Sequence, residues 1–291
     1  MPNREFIGES KNPQYHIVRA AMKKTLLFIP PLLIALAFVM VYSSNFPTII
    51  HDLITQPPAV TLLPKTTDIA PNNVVWAMIG QVDQQKALSD LRKLTGEEQV
   101  CLDHGCYTIS NRPTGSVGLQ WAKDYVYEQL AEMGYKVQVQ DWSYGGYADQ
   151  NLIIRKPGSL QPENEIYFVA HLDGVSNAPA ADDNGSGVVD LLQIARIIKN
   201  RSFHNTLVLL FSTGEEQGAL GVHYYVNQLT QEQLQAISYV VDVDMIGYDS
   251  NNDGVMELWN GEQPLAFVKL LGDIITAYQL DLNAQVVSDC G

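Results

Sequence analysis

Three largely apolar runs, Glu165 to Ala170, Thr206 to Ser212 and Ser238 to Asp244, constrain this chain more than any other feature. Each is too short for a buried helix and has the continuous apolar character of a strand covered on both faces. Between them, Ser186 to Asn200 and Gly218 to Leu229 carry apolar residues at helical spacing. Strands alternating with helices predict an α/β domain, a three-layer sandwich around a mostly parallel, mixed central sheet. Two more strands are expected before these, Tyr135 to Trp142 and Asn151 to Arg155, and one after, Asp281 to Val287. Helices are expected over Val74 to Gly96, through Leu88, Leu91 and Leu94, over Gly115 to Met133 closed by Gly134, and over Pro264 to Tyr278. The folded domain is therefore placed at residues 74–291.

The polar residues that matter sit where those strands stop. His171-Leu172-Asp173 follows the first, Thr213-Gly214-Glu215-Glu216 the second, and Asp242-Val243-Asp244-Met245-Ile246-Gly247 closes the third. A loop after the first also brings Ala181-Asp182-Asp183-Asn184-Gly185-Ser186-Gly187 to the start of a helix. Open α/β sheets collect their ligands at the carboxyl ends of strands. His171, Asp182, Glu216 and Asp244 are separated by 11, 34 and 28 residues, the length of loop and βα units, so four excursions return to one edge. An imidazole among carboxylates suits zinc better than magnesium or calcium. A carboxylate between two cations can bridge them, and of two adjacent glutamates one can ligate while the other serves as general base. Singly, each motif is commonplace at strand ends: Asp183 reads equally well as a helix cap, and Asp242 as a strand-end carboxylate. His104, His204 and His223 read as ordinary surface or core histidines.

From about Thr108 onward, the ordered set H-L-D, A-D-D-N-G-S-G, G-E-E-x-G-x-x-G and D-M-I-G resembles the co-catalytic di-zinc exopeptidases, which include bacterial leucyl aminopeptidases and plasma glutamate carboxypeptidase. The resemblance implies two zinc ions: His171 and Asp244 on one, Glu216 on the other, and Asp182 bridging them. It implies Glu215 as general base and Asp173 as the carboxylate that orients the ligand histidine. It also implies a cis peptide between Asp182 and Asp183, and places Asn111-Arg112-Pro113-Thr114-Gly115 at the opening of the first catalytic-domain helix. The family completes its second metal with a histidine past a segment like Val287-Ser288-Asp289-Cys290, so the resemblance implies a C-terminally truncated domain whose fifth ligand lies beyond Gly291. The activity implied is that of a zinc-dependent aminopeptidase acting on peptides. A carboxypeptidase or dipeptidase, a glutaminyl cyclase and a non-catalytic ectodomain of the same fold stand as alternatives.

The N-terminal part reads differently. Residues 1–24 carry a local charge of +3 against a whole-chain formal charge of −14. Thr25 to His51 then contains no Asp, Glu, Lys or Arg, and TLLFIPPLLIALAFVMVY within it is almost wholly apolar. A cytoplasmic basic leader (1–24), a transmembrane anchor (25–44) and a linker (45–73) follow, with the folded domain outside the cytoplasm by the positive-inside rule. A cleaved signal peptide is the rival reading. The acidic remainder argues against nucleic acid as a partner. In an oxidising compartment Cys101 and Cys106 are expected to form a disulfide, with a zinc knuckle through Asp103 and His104 as the competing use.

Overall fold

The structure, a computed structural model, describes residues 69–251, 253–259 and 265–287. The expected leader and anchor, most of the expected linker and Cys290 lie outside the described residues. Among the described residues no helix is long and apolar enough to cross a membrane.

The first expected helix is two. Helix α1 (Asn73–Ile79) ends at Gly80, and α2 (Gln84–Leu94) starts afresh because the Asp83 side chain accepts the Lys86 N–H. A small antiparallel hairpin, β1 (Val100–Leu102) with β2 (Gly105–Tyr107), pairs Cys101 directly with Cys106, and the two are joined by a disulfide, not a metal. Helix α3 (Val117–Glu132) is capped by Ser116 and closed by Gly134 at φ +89°, a conformation that glycine adopts without strain.

The central sheet is built from β3 (Gln138–Tyr144), β4 (Tyr147–Lys156), β5 (Gln161–His171), β6 (Asn205–Ser212) and β7 (Ile237–Asp242) in the order β3-β4-β6-β5-β7. It is mixed, but not mostly parallel: β3–β4 and β4–β6 are antiparallel, while β6–β5 and β5–β7 are parallel. For β3 and β4 the reason is local. Gly145 and Gly146, both at positive φ, make a tight two-residue turn that can join only antiparallel strands. Beyond β7 a separate parallel pair, β8 (Val255–Trp259) and β9 (Asn283–Val287), flanks helix α7 (Leu265–Ala277).

Period-two alternation divides the sheet's side chains between two faces. Leu152, Ile154, Ile166, Phe168, Ala170, Leu207, Leu209 and Phe211 join the large core with α2, α3, α4 (Gly187–Ile198) and α7. Ile153, Tyr167, Val169, Val208 and Leu210 face the other way, toward Tyr225 of α5 (Leu220–Asn227). A short helix, α6 (Gln231–Ala236), leads into β7. Each fully buried aliphatic or aromatic side chain contributes about 1.5–3 kcal/mol, so the two covered faces, not strand propensity, hold β5 and β6 at the centre. The three-layer expectation is met, and it places the carboxyl ends of β5, β6 and β7 along one edge.

Candidate metal centre

His171 is the last residue of β5 and stands opposite Ser212, the last of β6. On the other side Val169 pairs with Asp242, so the chain needs two more residues to bring Asp244 level with the imidazole. The His171 side chain is buried, and its Nε2 lies 3.1 Å from Asp183 Oδ1, 3.7 Å from Asp244 Oδ1 and 3.9 Å from Glu215 Oε2. Those carboxylates are 43–50% exposed, so the imidazole is the floor of an open site and the acids are its rim. One atom each from His171, Asp183 and Asp244 fall within 4.8 Å of one another.

The aspartate beside His171 is thus Asp183, not Asp182. Asp182 turns away: its Oδ1 accepts the Gly247 N–H at 2.7 Å and the Ser186 hydroxyl at 3.2 Å. The irregular turn Ala181–Ser186, which opens α4, decides between the two. Buried Asn184 accepts the Gly187 N–H and donates to Val243 O, locking the turn so that Asp183 faces the strand ends and Asp182 faces the 244–247 loop. Asp183 is accordingly not the helix cap. The cis peptide falls between Asp183 and Asn184, one residue later than the resemblance implies.

Asp173 is fully buried and holds two parts of the site together. Its Oδ1 and Oδ2 accept the Glu215 and Glu216 N–H groups, each at 3.2 Å, and Thr114 donates its hydroxyl to Oδ2 at 3.3 Å. Its Oδ1 is also 3.6 Å from His171 Nδ1, which lies 3.2 Å from the Asp173 backbone carbonyl. With Nδ1 so occupied, Nε2 is the free nitrogen, and among the described residues it makes no hydrogen bond although it is buried. Glu216 Oε1 is buried and unpartnered in the same way.

The acids around His171 dominate the electrostatics of the site. Burial works against the charged imidazole, yet its interactions with the carboxylates of Asp173 and Asp244 outweigh it and raise the His171 pKa to about 10. Burial, joined by neighbouring acids, also raises the Glu215 and Glu216 carboxyls above their usual range. The residues fit zinc: a desolvated imidazole nitrogen and carboxylate oxygens, 3.1 and 3.7 Å apart, match donors that stand roughly 3.4 Å apart around one tetrahedral ion. Backbone strain gathers here as well. Ala180, Ala219 and Met245, three of the four non-glycine residues at positive φ among the described residues, lie within three residues of Asp183, Glu216 or Asp244. His104, His204 and His223 take no part in the cluster.

Residues 151–286 match the profile of Peptidase family M28. The matched stretch contains His171, Asp183, Glu215, Glu216 and Asp244. Leupeptin-inactivating enzyme 1 of Streptomyces exfoliatus is 33% identical over 139 residues, 47% of this chain and 32% of that protein. Aminopeptidase YwaD of Bacillus subtilis is 32% identical over 106 residues, 36% of this chain and 23% of that protein. The matched part of the chain thus spans about a quarter to a third of these curated relatives. The fold is similar to that of BSAP, a zinc aminopeptidase from Bacillus subtilis, at a TM-score of 0.53 and 13% identity, covering 69% of this chain and 84% of that one.

Proposed function

We propose that the chain is a zinc-dependent aminopeptidase that hydrolyses single N-terminal residues from peptides. The observation that carries this reading is the convergence of His171, Asp183 and Asp244 on one open site beside Glu215, with His171 Nε2 buried and unpartnered. The likeness to aminopeptidases over the M28 stretch supports the same choice of reaction. His171, Asp183 and Asp244 would hold one zinc, and Glu216 with Asp183 a second; bound there, zinc supplies polarisation of the scissile carbonyl and acidification of the attacking water. Asp173 fixes the imidazole and the Glu215–Glu216 backbone. Glu215 Oε2, half exposed and raised in pKa, is placed to take a proton from that water and return it to the leaving amine. The uncharged stretch 25–44 would anchor the chain in a membrane with this domain on the oxidising side, where the Cys101–Cys106 bond persists. Carbonate extraction of membranes checks that anchor.

The catalytic reading is tested on Glu215→Gln and Glu216→Gln. Glu215→Gln should keep its zinc and lose at least about 10²-fold in turnover, because it removes a proton carrier and no ligand. Glu216→Gln should lose zinc. Equal metal loss in both would mean that the two roles are wrongly divided. On the wild-type chain, free-amine aminoacyl-anilides should turn over and N-blocked peptides should not; the reverse pattern would replace the aminopeptidase with a different exopeptidase.

A further inference from the structure

The loop from Leu172 to Ala180 separates His171 from Asp183 and contains neither helix nor strand. What shapes it lies 60 residues earlier in the chain. The Arg112 side chain is fully buried, and its guanidinium donates Nε to Leu172 O at 2.8 Å, Nη1 to Pro179 O at 2.9 Å and Nη2 to Ala180 O at 2.8 Å. Nη1 also reaches Leu94 O at 2.6 Å, tying the group to the end of α2. Its own carbonyl accepts the Gly174 N–H at 3.0 Å, and neighbouring Asn111 donates to Ser176 O at 2.8 Å. The loop is therefore held at both ends by one planar fork. Among the described residues no carboxylate stands within ion-pair distance of that fork.

A buried guanidinium spent wholly on carbonyls is a costly way to fill a core. Burial lowers its pKa to about 10, and the charges that oppose this fall are Asp173, Asp183 and Glu216, all at the centre described above. Its carbonyl partners flank those same residues: Leu172 lies between His171 and Asp173, and Ala180, held at φ +55°, comes three residues before Asp183.

We propose that Arg112 is a positioning residue for the metal centre, clamping both ends of the 172–180 loop so that His171 and Asp183 face one another at ligand distance. The inference rests on the zinc reading. Lysine in its place would keep the charge but lose the fork, since a single ammonium cannot serve carbonyls spread around a planar guanidinium.

The test uses the full chain with Arg112→Lys and, as a milder variant, Asn111→Ala. Zinc affinity is measured by competition with a chromophoric chelator, ligand geometry by the absorption bands of the cobalt(II)-loaded protein, and folding by thermal unfolding of the metal-free protein. Arg112→Lys should bind zinc at least about 10-fold more weakly, the usual penalty for disturbing a group that orients ligands, and shift the cobalt bands. Asn111→Ala should weaken zinc in the same direction by less. A folded Arg112→Lys protein with wild-type zinc affinity and an unchanged cobalt spectrum would overturn the inference while leaving the zinc site standing. If Arg112→Lys does not fold, Asn111→Ala decides, and unaltered affinity there overturns it equally. A wild-type chain that binds no zinc, or whose zinc binding survives His171→Ala, removes the zinc reading and this inference with it.

Discussion

Asp182 and Asp183 are adjacent and chemically identical, so substituting each in turn isolates what the turn 181–186 does with them. Asp183 offers a rim carboxylate 3.1 Å from His171 Nε2, and Asp183→Asn should cut zinc affinity by about 10-fold or more. Asp182 spends its carboxylate on Gly247 N–H and Ser186; Asp182→Asn keeps an acceptor oxygen there, so it should bind zinc nearly as wild type and lose about 1–2 kcal/mol of stability. Equal zinc loss in both variants would contradict the geometry. The motif itself is plain in the sequence, but which aspartate faces the strand ends depends on an irregular turn with no periodicity to read. Asp190 makes the complementary case. On the buried face of α4 its Oδ2 has no hydrogen-bond partner among the described residues, and burial pushes its carboxyl well above the usual range. The folded chain therefore keeps this proton while the unfolded chain releases it near pH 3.9, so Asp190 lowers stability progressively as pH rises from there toward the folded pKa. Asp190→Asn should remove that slope: relative to wild type it should gain stability between pH 4 and 8, by about 1.4 kcal/mol for each pH unit of the shift. Parallel urea-unfolding curves for the two proteins across that range would refute the raised pKa.

Helix α4 carries the turn of Asp183 at its start, and its fit against the exit of β7 sets how far Asp183 stands from Asp244. Gly187 is the point of contact: a Cβ there would stand inside van der Waals distance of Val243 O and the Asn184 amide. Gly187→Ala should therefore cost about 1–3 kcal/mol, because backbone has to move. It should also weaken zinc binding, since the parts that move carry two ligands. Gly272 in α7 gives the contrast. A Cβ there meets no atom of the described residues within 4 Å, so Gly272→Ala should add up to about 1 kcal/mol by helix propensity and leave zinc affinity untouched. Thermal unfolding and zinc titration of the two variants check both halves, and a Gly187→Ala protein with undisturbed zinc affinity would show that the contact is only packing. At this level much was legible. Core strands β5 and β6 stand out as continuous apolar runs, helices α3, α4 and α7 carry helical spacing along their length, and the structure shifts their ends by only a few residues. Two features depart from the expected pattern. The break at Gly80 turns on one cap, Asp83, inside an otherwise helical spacing. The antiparallel pairing of β3 with β4 turns on Gly145-Gly146, a two-residue hairpin signal just beyond the expected strand end at Trp142.

The proposed ligands come from the ends of β5, β6 and β7 and from the turn before α4, so an ion bound by them would tie three strands of the central sheet to the α4 layer. The chain closes on itself elsewhere too. The Asn72 N–H donates to the hydroxyl of buried Tyr278 at 3.0 Å, the Trp76 and Tyr278 rings meet edge to face at 5.4 Å, and the large core runs unbroken from Val75 to Tyr278. Zinc bound at the proposed centre should report on the stability of the whole, because zinc held by the folded form alone shifts the unfolding equilibrium by mass action. At zinc concentrations 100 times its dissociation constant the gain is about 2.7 kcal/mol, which for a domain near this size corresponds to roughly 5–10 °C in Tm. Removing zinc with a chelator should lower the melting temperature by that amount in a single cooperative transition. His171→Ala should abolish the difference, and Glu215→Gln, which removes no ligand, should keep it. Scanning calorimetry with and without zinc makes the comparison. An equal zinc shift in His171→Ala would place the ion elsewhere, and a second transition confined to the zinc-free protein would mean that the centre sits on a subdomain that melts independently of the core.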